Sequence, residues 1–362
     1  MSLLELRSEK DLEVAKTCFA NGEPFGKVCD RLGVKLGREL NMTDDAWRFT
    51  PTSEILPDGK DPRNPEVAKQ LLEMGYLVLH EGKTFHQYTD RWEERSRYLV
   101  SLLKLQDKQE ILKLVKFYRI GIREVSSSTN ERTLIAALLS YGTTSGHTVT
   151  HEKLAAERSI AIACATISFL NSYSVDWVIR LSAASHVTKF LLNMIPVPSF
   201  SHAFLSHSAL RLTCNHTGYE PLWREQLSEI WRESQSPFTF PVLPSEDDRW
   251  LVRAAIDAVV ADAYGLNREQ YAHILSTFSH KSYPKAPQLC LACFDELQTI
   301  GLETFTKKYD PYWDIPLNEN LPKPVIDLPI PNQSNENVVS TDDGSFQLTP
   351  PPEGKPKRRK KK

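Results

Sequence analysis

YRIGIREVSSSTNERTLIAALLSYGTTSGHTVT, residues 118–150, is the stretch from which the rest of the chain is read outward. Arg119, Ile120, Ile122, Arg123 and Val125 form an extended run. Ser126 to Asn130 is a turn of residues whose side chains bond their own backbone, and Thr133 to Leu139 is apolar and partly β-branched. Ser140 to Thr150 reads as a loop of small and polar groups. The order predicted is strand, turn, strand, loop. Arg119, Arg123, Asn130, the Arg132-Thr133 pair and the His147-Thr148 pair then lie at the ends of short buried elements. Polar groups so placed suit reading the edge of a polar ligand better than acid–base chemistry.

Upstream, Tyr76-Leu-Val-Leu-His80 is a β-like run that leads into EGKTFHQYTDRW, residues 81–92. That dodecad offers Lys83 for a phosphate, His86 and Gln87 for hydrogen bonds, and Arg91 for guanine or phosphate. Phe85, Tyr88 and Trp92 supply packing or stacking faces. Basic and amide groups interleaved with aromatics are the chemistry of a nucleic-acid surface; a strand pair with core aromatics and solvated charges reads the same way.

These two phrases resemble the target-recognition half of adenine-specific DNA methyltransferases, above all the fused restriction-modification enzymes called type IIG. The family's Tyr-Arg...Arg-Glu...Thr-Asn-Glu-Arg-Thr-Leu-Ile-Ala-Ala is matched by Tyr118, Arg119, Arg123, Glu124 and Thr129 through Ala137. Its Tyr-Glu-Gly-Lys-Met-Phe/Ile-His-Gln-Phe-x-His-Arg-Trp/Tyr is matched at Glu81 to Trp92, with departures at His80, Thr84 and Asp90. Ser140-Tyr-Gly142 stands where the family has Pro-Pro-Gly. Weaker matches are Glu39 to Asp45 with Trp47 and Phe49, Ser185 to Pro198, and Ala255 to Leu266. The resemblance spans roughly Leu40 to Leu302 and involves only the family's recognition half.

What it implies is a set of double-stranded DNA contacts. Lys83, Arg91, Arg119 and Arg123 position phosphates or read guanine, and Gln87, Asn130 and His147 read base edges. His86, Trp92, Thr129, Arg132 and Thr148 complete the candidate set. The catalytic half has no counterpart here: there is neither a Gly-rich turn for S-adenosylmethionine nor an Asn-Pro-Pro-Tyr type motif, Asp310-Pro-Tyr-Trp313 lacking the double proline. No catalytic residue or cofactor is therefore expected in this chain, and S-adenosylmethionine is expected on a separate methyltransferase subunit. Two alternatives stay open: a non-functional remnant of a broken methylase gene, and a complete enzyme whose active site carries no recognised motif.

The remaining sequence predicts helices at Glu9 to Phe19, Ser101 to Lys116, Ile160 to Leu181 and from Asp247 to a stop at Gly265, then one capped by Asn267 with Gln270. Thr43-Asp44-Asp45 is a helix N-cap or a turn. The fold class expected is α+β: a DNA target-recognition region over residues 1–200, a mostly helical supporting region over 201–330, and a disordered tail over 331–362. Lys355 to Lys362 carries seven basic residues and no acid, which leaves the body before it at −9 against −2 for the whole chain. DNA contact must then be focused: Lys83 to Arg132 holds eleven basic and seven acidic residues. Six scattered cysteines do not make a disulfide framework, and Cys290-Leu-Ala-Cys293 lacks the second pair that a zinc site needs. With no membrane-length apolar run and no cationic start followed by an apolar core, the chain is expected in the cytosol and off the membrane.

Overall fold

The organising stretch forms the centre of a four-stranded antiparallel sheet ordered Leu36–Gly37, Val149–Glu152, Arg119–Arg123, Ala136–Leu139. Gly121 lies opposite Ala137 and Ile122 opposite Ala136, so the apolar residues of both strands pair in register. These observations come from a computed structural model, which describes residues 5–126, 130–182, 186–199, 202–227 and 242–328. Both expected strands are present, at Arg119–Arg123 and Ala136–Leu139; most of the turn expected between them, residues 127–129, lies outside the described residues. The expected loop at Ser140 to Thr150 does not hold: it contains Thr143–Ser145 and the start of Val149–Glu152. Thr143–Ser145 runs parallel to Tyr76–His80 in a second sheet, ordered Phe49–Pro51, Tyr98–Ser101, Tyr76–His80, Thr143–Ser145. The chain thus passes from one sheet to the other through Gly146 to Thr148. β-branched threonines accept the extended geometry, and the side chain of Glu39 accepts hydrogen bonds from Thr144 Oγ1 and Ser145 N, both at 3.0 Å.

A short two-stranded pairing joins Glu23–Pro24 to Pro196–Val197, and the rest of the fold is helical, which makes the protein α+β. The predicted helix at Ser101 to Lys116 is a 3-10 turn, Leu102–Leu105, and a separate helix, Gln109–Leu114. Lys108 breaks the run with φ −113° and ψ 52°. Of the run's apolar residues, Leu102, Leu105, Ile111 and Val115 pack with Leu77, Leu79 and Val100 of the second sheet, whereas Leu103 is exposed.

The predicted helix at Ile160 to Leu181 is also two, Ile160–Leu170 and Tyr173–Arg180, bent by 62°. At the break, the Asn171 amide donates to Ala136 O and accepts from Ala136 N, both at 2.9 Å, and Ser172 caps the second helix. Both helices are buried almost all round, which is why they read as apolar. Among the described residues no single helix is long and apolar enough to cross a membrane.

Residues on both sides of position 200 share one core. Ile160–Leu170 packs along His202–Thr213, and Trp223, Trp250 and Tyr264 belong to the same apolar cluster as Ile120 and Leu138. Residues 1–329 form one unit by their contacts. Glu246–Ala263 starts at the Ser245 cap and stops before Gly265 at φ 73°. Arg268–Ser276 carries the capping box foreseen at Asn267 and Gln270. Thr43 to Asp45 is a turn, held by Asn41 Oδ1 at 2.8 Å from Thr43 N. The expected tail at 331–362 lies outside the described residues.

Candidate nucleic-acid interface

The dodecad is a loop closed on itself. Trp92 N donates to Thr84 O at 3.0 Å, and the Arg63 guanidinium, paired with Asp61, donates to Thr84 O at 2.5 Å and to Trp92 O at 3.0 Å. Between these ties His86 and Thr89 exchange backbone bonds around Tyr88, whose φ of 60° lets the chain reverse. The turn pushes Tyr88 into the core and leaves the Trp92 ring 41% exposed, stacked at 4.3 Å on His86.

Lys83 is exposed and pairs with Glu94 at 3.2 Å. Arg91 is partly exposed, and His147 and Asn130 are exposed. Asn130 Nδ2 donates weakly to Ser126 Oγ at 3.4 Å. Thr148 Oγ1 accepts from Gly82 N at 3.0 Å, so the dodecad and the sheet crossover touch there. Arg123 is half-buried and donates to Phe85 O at 2.6 Å; burial pushes its guanidinium down to about 10. Thr129 lies outside the described residues.

Three residues expected to face DNA are instead internal ties. Arg119, 1% exposed, pairs with Glu39 at 2.5 Å and donates to Thr143 O at 2.6 Å, joining the two sheets. Gln87 Nε2 donates to Leu134 O and Asn171 O, at 3.1 and 3.2 Å. Arg132 pairs with Asp176 at 2.8 Å and donates to Asn171 O at 2.5 Å. Each is a buried polar side chain held by partners that the fold supplies, although Arg119 Nε has none of its own, and turning it outward would strand those partners. A basic residue at a strand end is as good a core clamp as a base reader, and the sequence pattern is the same for both.

Glu39 also meets His151 Nδ1 at 3.1 Å, and Ser145 Oγ meets the same nitrogen at 2.9 Å. A serine, a histidine and a carboxylate in contact suggest a nucleophile. Here the serine and the acid share one ring nitrogen and all three side chains are sealed from solvent, so no proton relay forms. Burial opposes the charge on Glu39, but Arg119 and then His151 hold its carboxyl well below the usual range. The cluster is a structural pin.

Sequence reading missed a cleft beside the dodecad. The cleft, of about 550 Å³, lies between the dodecad, with His86, Arg91 and Trp92 on its wall, and the Glu246–Ala263 helix, which contributes Arg249, Trp250 and Arg253. Arg253 Nη2 only grazes Gln87 O at 3.5 Å, and its guanidinium lies over the Trp250 ring at 5.0 Å. Burial, then Arg253 beside it, pushes Arg249 down to about 10. Burial likewise lowers Arg253. His86 is pushed down to about 3 by burial and then by Arg253, Arg123 and Arg132, so its ring is neutral at physiological pH. The signal available in sequence was two arginines four residues apart on an otherwise apolar helix face, which places them together one turn apart.

Neither a protein-family model nor a curated protein matches this chain. Among solved structures, it is similar to the type IIL restriction-modification enzyme MmeI in complex with DNA, at TM-score 0.35 and 11% sequence identity. The match covers 67% of this chain and 35% of that one, so the chain spans about a third of that enzyme's length.

Proposed function

We propose that this chain is the DNA target-recognition module of an adenine-N6-specific restriction-modification methyltransferase, with methyl transfer carried out by a separate subunit that holds S-adenosylmethionine. The observation that supports this reading is the junction of the two phrases resembling the recognition half of that family. Gly82 N bonds Thr148 Oγ1 at 3.0 Å, Arg123 bonds Phe85 O at 2.6 Å, and Tyr88 N bonds Ala136 O at 3.3 Å. Residues far apart in sequence thereby form one body, with Lys83 and His147 flanking the Gly82–Thr148 contact and Arg91 and Trp92 on the rim of the neighbouring cleft. The residues that remain available to DNA are Lys83, His86, Arg91, Trp92, Asn130 and His147, with Arg123 behind them. Their chemistry suits phosphate positioning and edge reading.

Selection of bound DNA from a random duplex pool at moderate salt, with the whole chain and with a version ending at Gly354, tests the reading. An enriched motif that survives removal of the basic end is the expected result. Binding without a motif that disappears with Lys355 to Lys362 would reduce the chain to a cationic tether. Methyl transfer from labelled S-adenosylmethionine by the chain alone would refute the division of labour. Within the selected motif, Arg91→Ala is expected to lose about 1–3 kcal/mol at one base position, whereas Lys83→Ala weakens all sequences alike.

A further inference from the structure

We propose that the arginine-lined cleft between the dodecad and the Glu246–Ala263 helix binds a nucleoside monophosphate unit, its phosphate on Arg249 and Arg253 and its base against Trp92. The inference goes beyond duplex reading and stands on the cleft alone. The unit is either a free nucleotide or one residue of a strand, and the two sources share the chemistry.

Anion binding follows from the unpaired cations. Elsewhere in this protein a buried arginine comes with a carboxylate: Arg119 with Glu39, Arg132 with Asp176, Arg158 with Glu152. Arg123, Arg249 and Arg253 have no carboxylate in ion-pair contact among the described residues; Arg123 Nε, Arg249 Nη1 and Arg253 Nε are buried without a hydrogen-bond partner, as Arg119 Nε and Arg158 Nη1 are, but the last two guanidiniums have their charge matched by Glu39 and Glu152. Arg249 and Arg253 are partly exposed on the cleft wall with one nitrogen each out of water; leaving such a nitrogen unpaired is costly, and an incoming phosphate lowers that cost by accepting from two forks at once. Arg249 and Arg253 lie one helical turn apart, a spacing that one tetrahedral anion can bridge.

The rest of the wall suits a base. Trp92, 41% exposed, stacks on His86, and the neutral imidazole offers one donor and one acceptor. Asn215 Oδ1 is a buried acceptor without a partner on the same wall, its amide nitrogen already given to Tyr88 O at 3.3 Å; it matches an exocyclic amino group. The Trp250 indole N–H is also without a partner, a further donor for the phosphate or sugar. A volume of about 550 Å³ accommodates one nucleotide. Glu93, Glu131 and Glu246 also line the cleft, which limits the favoured charge to a monophosphate or a single phosphodiester.

Calorimetric titration of the full chain with adenosine monophosphate, adenosine and inorganic phosphate, in about 0.15 M salt to screen the basic tail, tests this. The nucleotide is expected to bind saturably at one site, at least tenfold tighter than either adenosine or phosphate. Arg249→Gln, Arg253→Gln and Trp92→Ala are each expected to weaken it tenfold or more, while Arg268→Gln, whose side chain pairs with Asp295 at 2.7 Å, leaves it unchanged. Trp92 is the variant that keeps the test sharp if loss of Arg253 disturbs folding, since its ring is 41% exposed. Displacement of the bound nucleotide by a short single strand at a concentration at least tenfold lower than free nucleotide requires assigns the site to a strand; equal or weaker competition by the strand assigns it to a free nucleotide. Absence of saturable binding, equal affinity for phosphate alone, or indifference to all three substitutions would overturn the proposal.

Discussion

Arg158 lies behind the central sheet with no solvent exposure and pairs with an equally buried Glu152 at 2.5 Å, while donating to Tyr118 O at 3.2 Å. Glu152 in turn accepts from Ile120 N at 3.0 Å. Removing one partner leaves the other charge buried and alone, so Arg158→Met is expected to cost about 3–5 kcal/mol, read from the urea midpoint. A loss within about 1 kcal/mol would mean that the pair is solvated in solution. Asp257 is the opposite case. Burial, only partly offset by Arg132, raises its carboxyl to about 7. The folded chain then keeps a proton that the unfolded chain releases between the ordinary carboxylate range and about pH 7. Stability from this group is present at acid pH and falls as the pH rises through that window. Asp257→Asn keeps an acceptor for Tyr173 N, now bonded at 2.5 Å, and is expected to stabilise the protein at pH 8 relative to pH 5. The same relative stability at both pH values would place the carboxyl in water.

At the scale of elements, local signals were reliable where a side chain closes a turn on its own neighbours. The capping box at Asn267 and Gln270 is one: Asn267 Oδ1 accepts from Gln270 N at 2.9 Å and Gln270 Oε1 from Asn267 N at 3.1 Å. Asn267→Ala is expected to cost about 1 kcal/mol in thermal or urea unfolding, with Asn267→Gly nearer neutral. Signals failed where a distant element overrode propensity. Asn171 breaks an otherwise continuous apolar helix because its amide pairs with both backbone groups of Ala136, thirty-five residues away. Thr143–Ser145 is a strand because Tyr76–His80 and Glu39 are there to receive it. Neither partner is visible in a window of ten residues.

At the scale of the molecule, the segments before and after position 200 complete one another. Tyr118 Oη donates to Gly218 O at 2.7 Å, Tyr219 Oη to Leu138 O at 2.6 Å, and Asp90 meets His216 at 2.8 Å. A chain ending at Pro198 would leave the apolar faces of the sheet and of Ile160–Leu170 uncovered. It is expected to lack a cooperative thermal transition, whereas the whole chain is expected to show coincident transitions by tryptophan fluorescence and far-ultraviolet dichroism. Independent cooperative unfolding of the shorter chain would restore a domain boundary there. The same continuity explains why the cleft was invisible in the sequence: its two walls, around Trp92 and Arg253, lie 161 positions apart.

By itself the sequence determined the α+β class, the paired strands Arg119–Arg123 and Ala136–Leu139, the capped helices and the phrases that resemble a DNA-reading half, because periodicity, turn residues and caps act over a few positions. Only the tertiary structure decided which polar side chains are fastened and which are left without a counter-charge. Arg119, Gln87 and Arg132 look like base readers in the chain but are held by Glu39, Leu134 and Asp176; Arg249 and Arg253 have no such carboxylate, Arg253 only grazing Gln87 O at 3.5 Å. The difference is the free energy of a buried polar group with or without its counterpart, and that counterpart is supplied by residues far away in sequence.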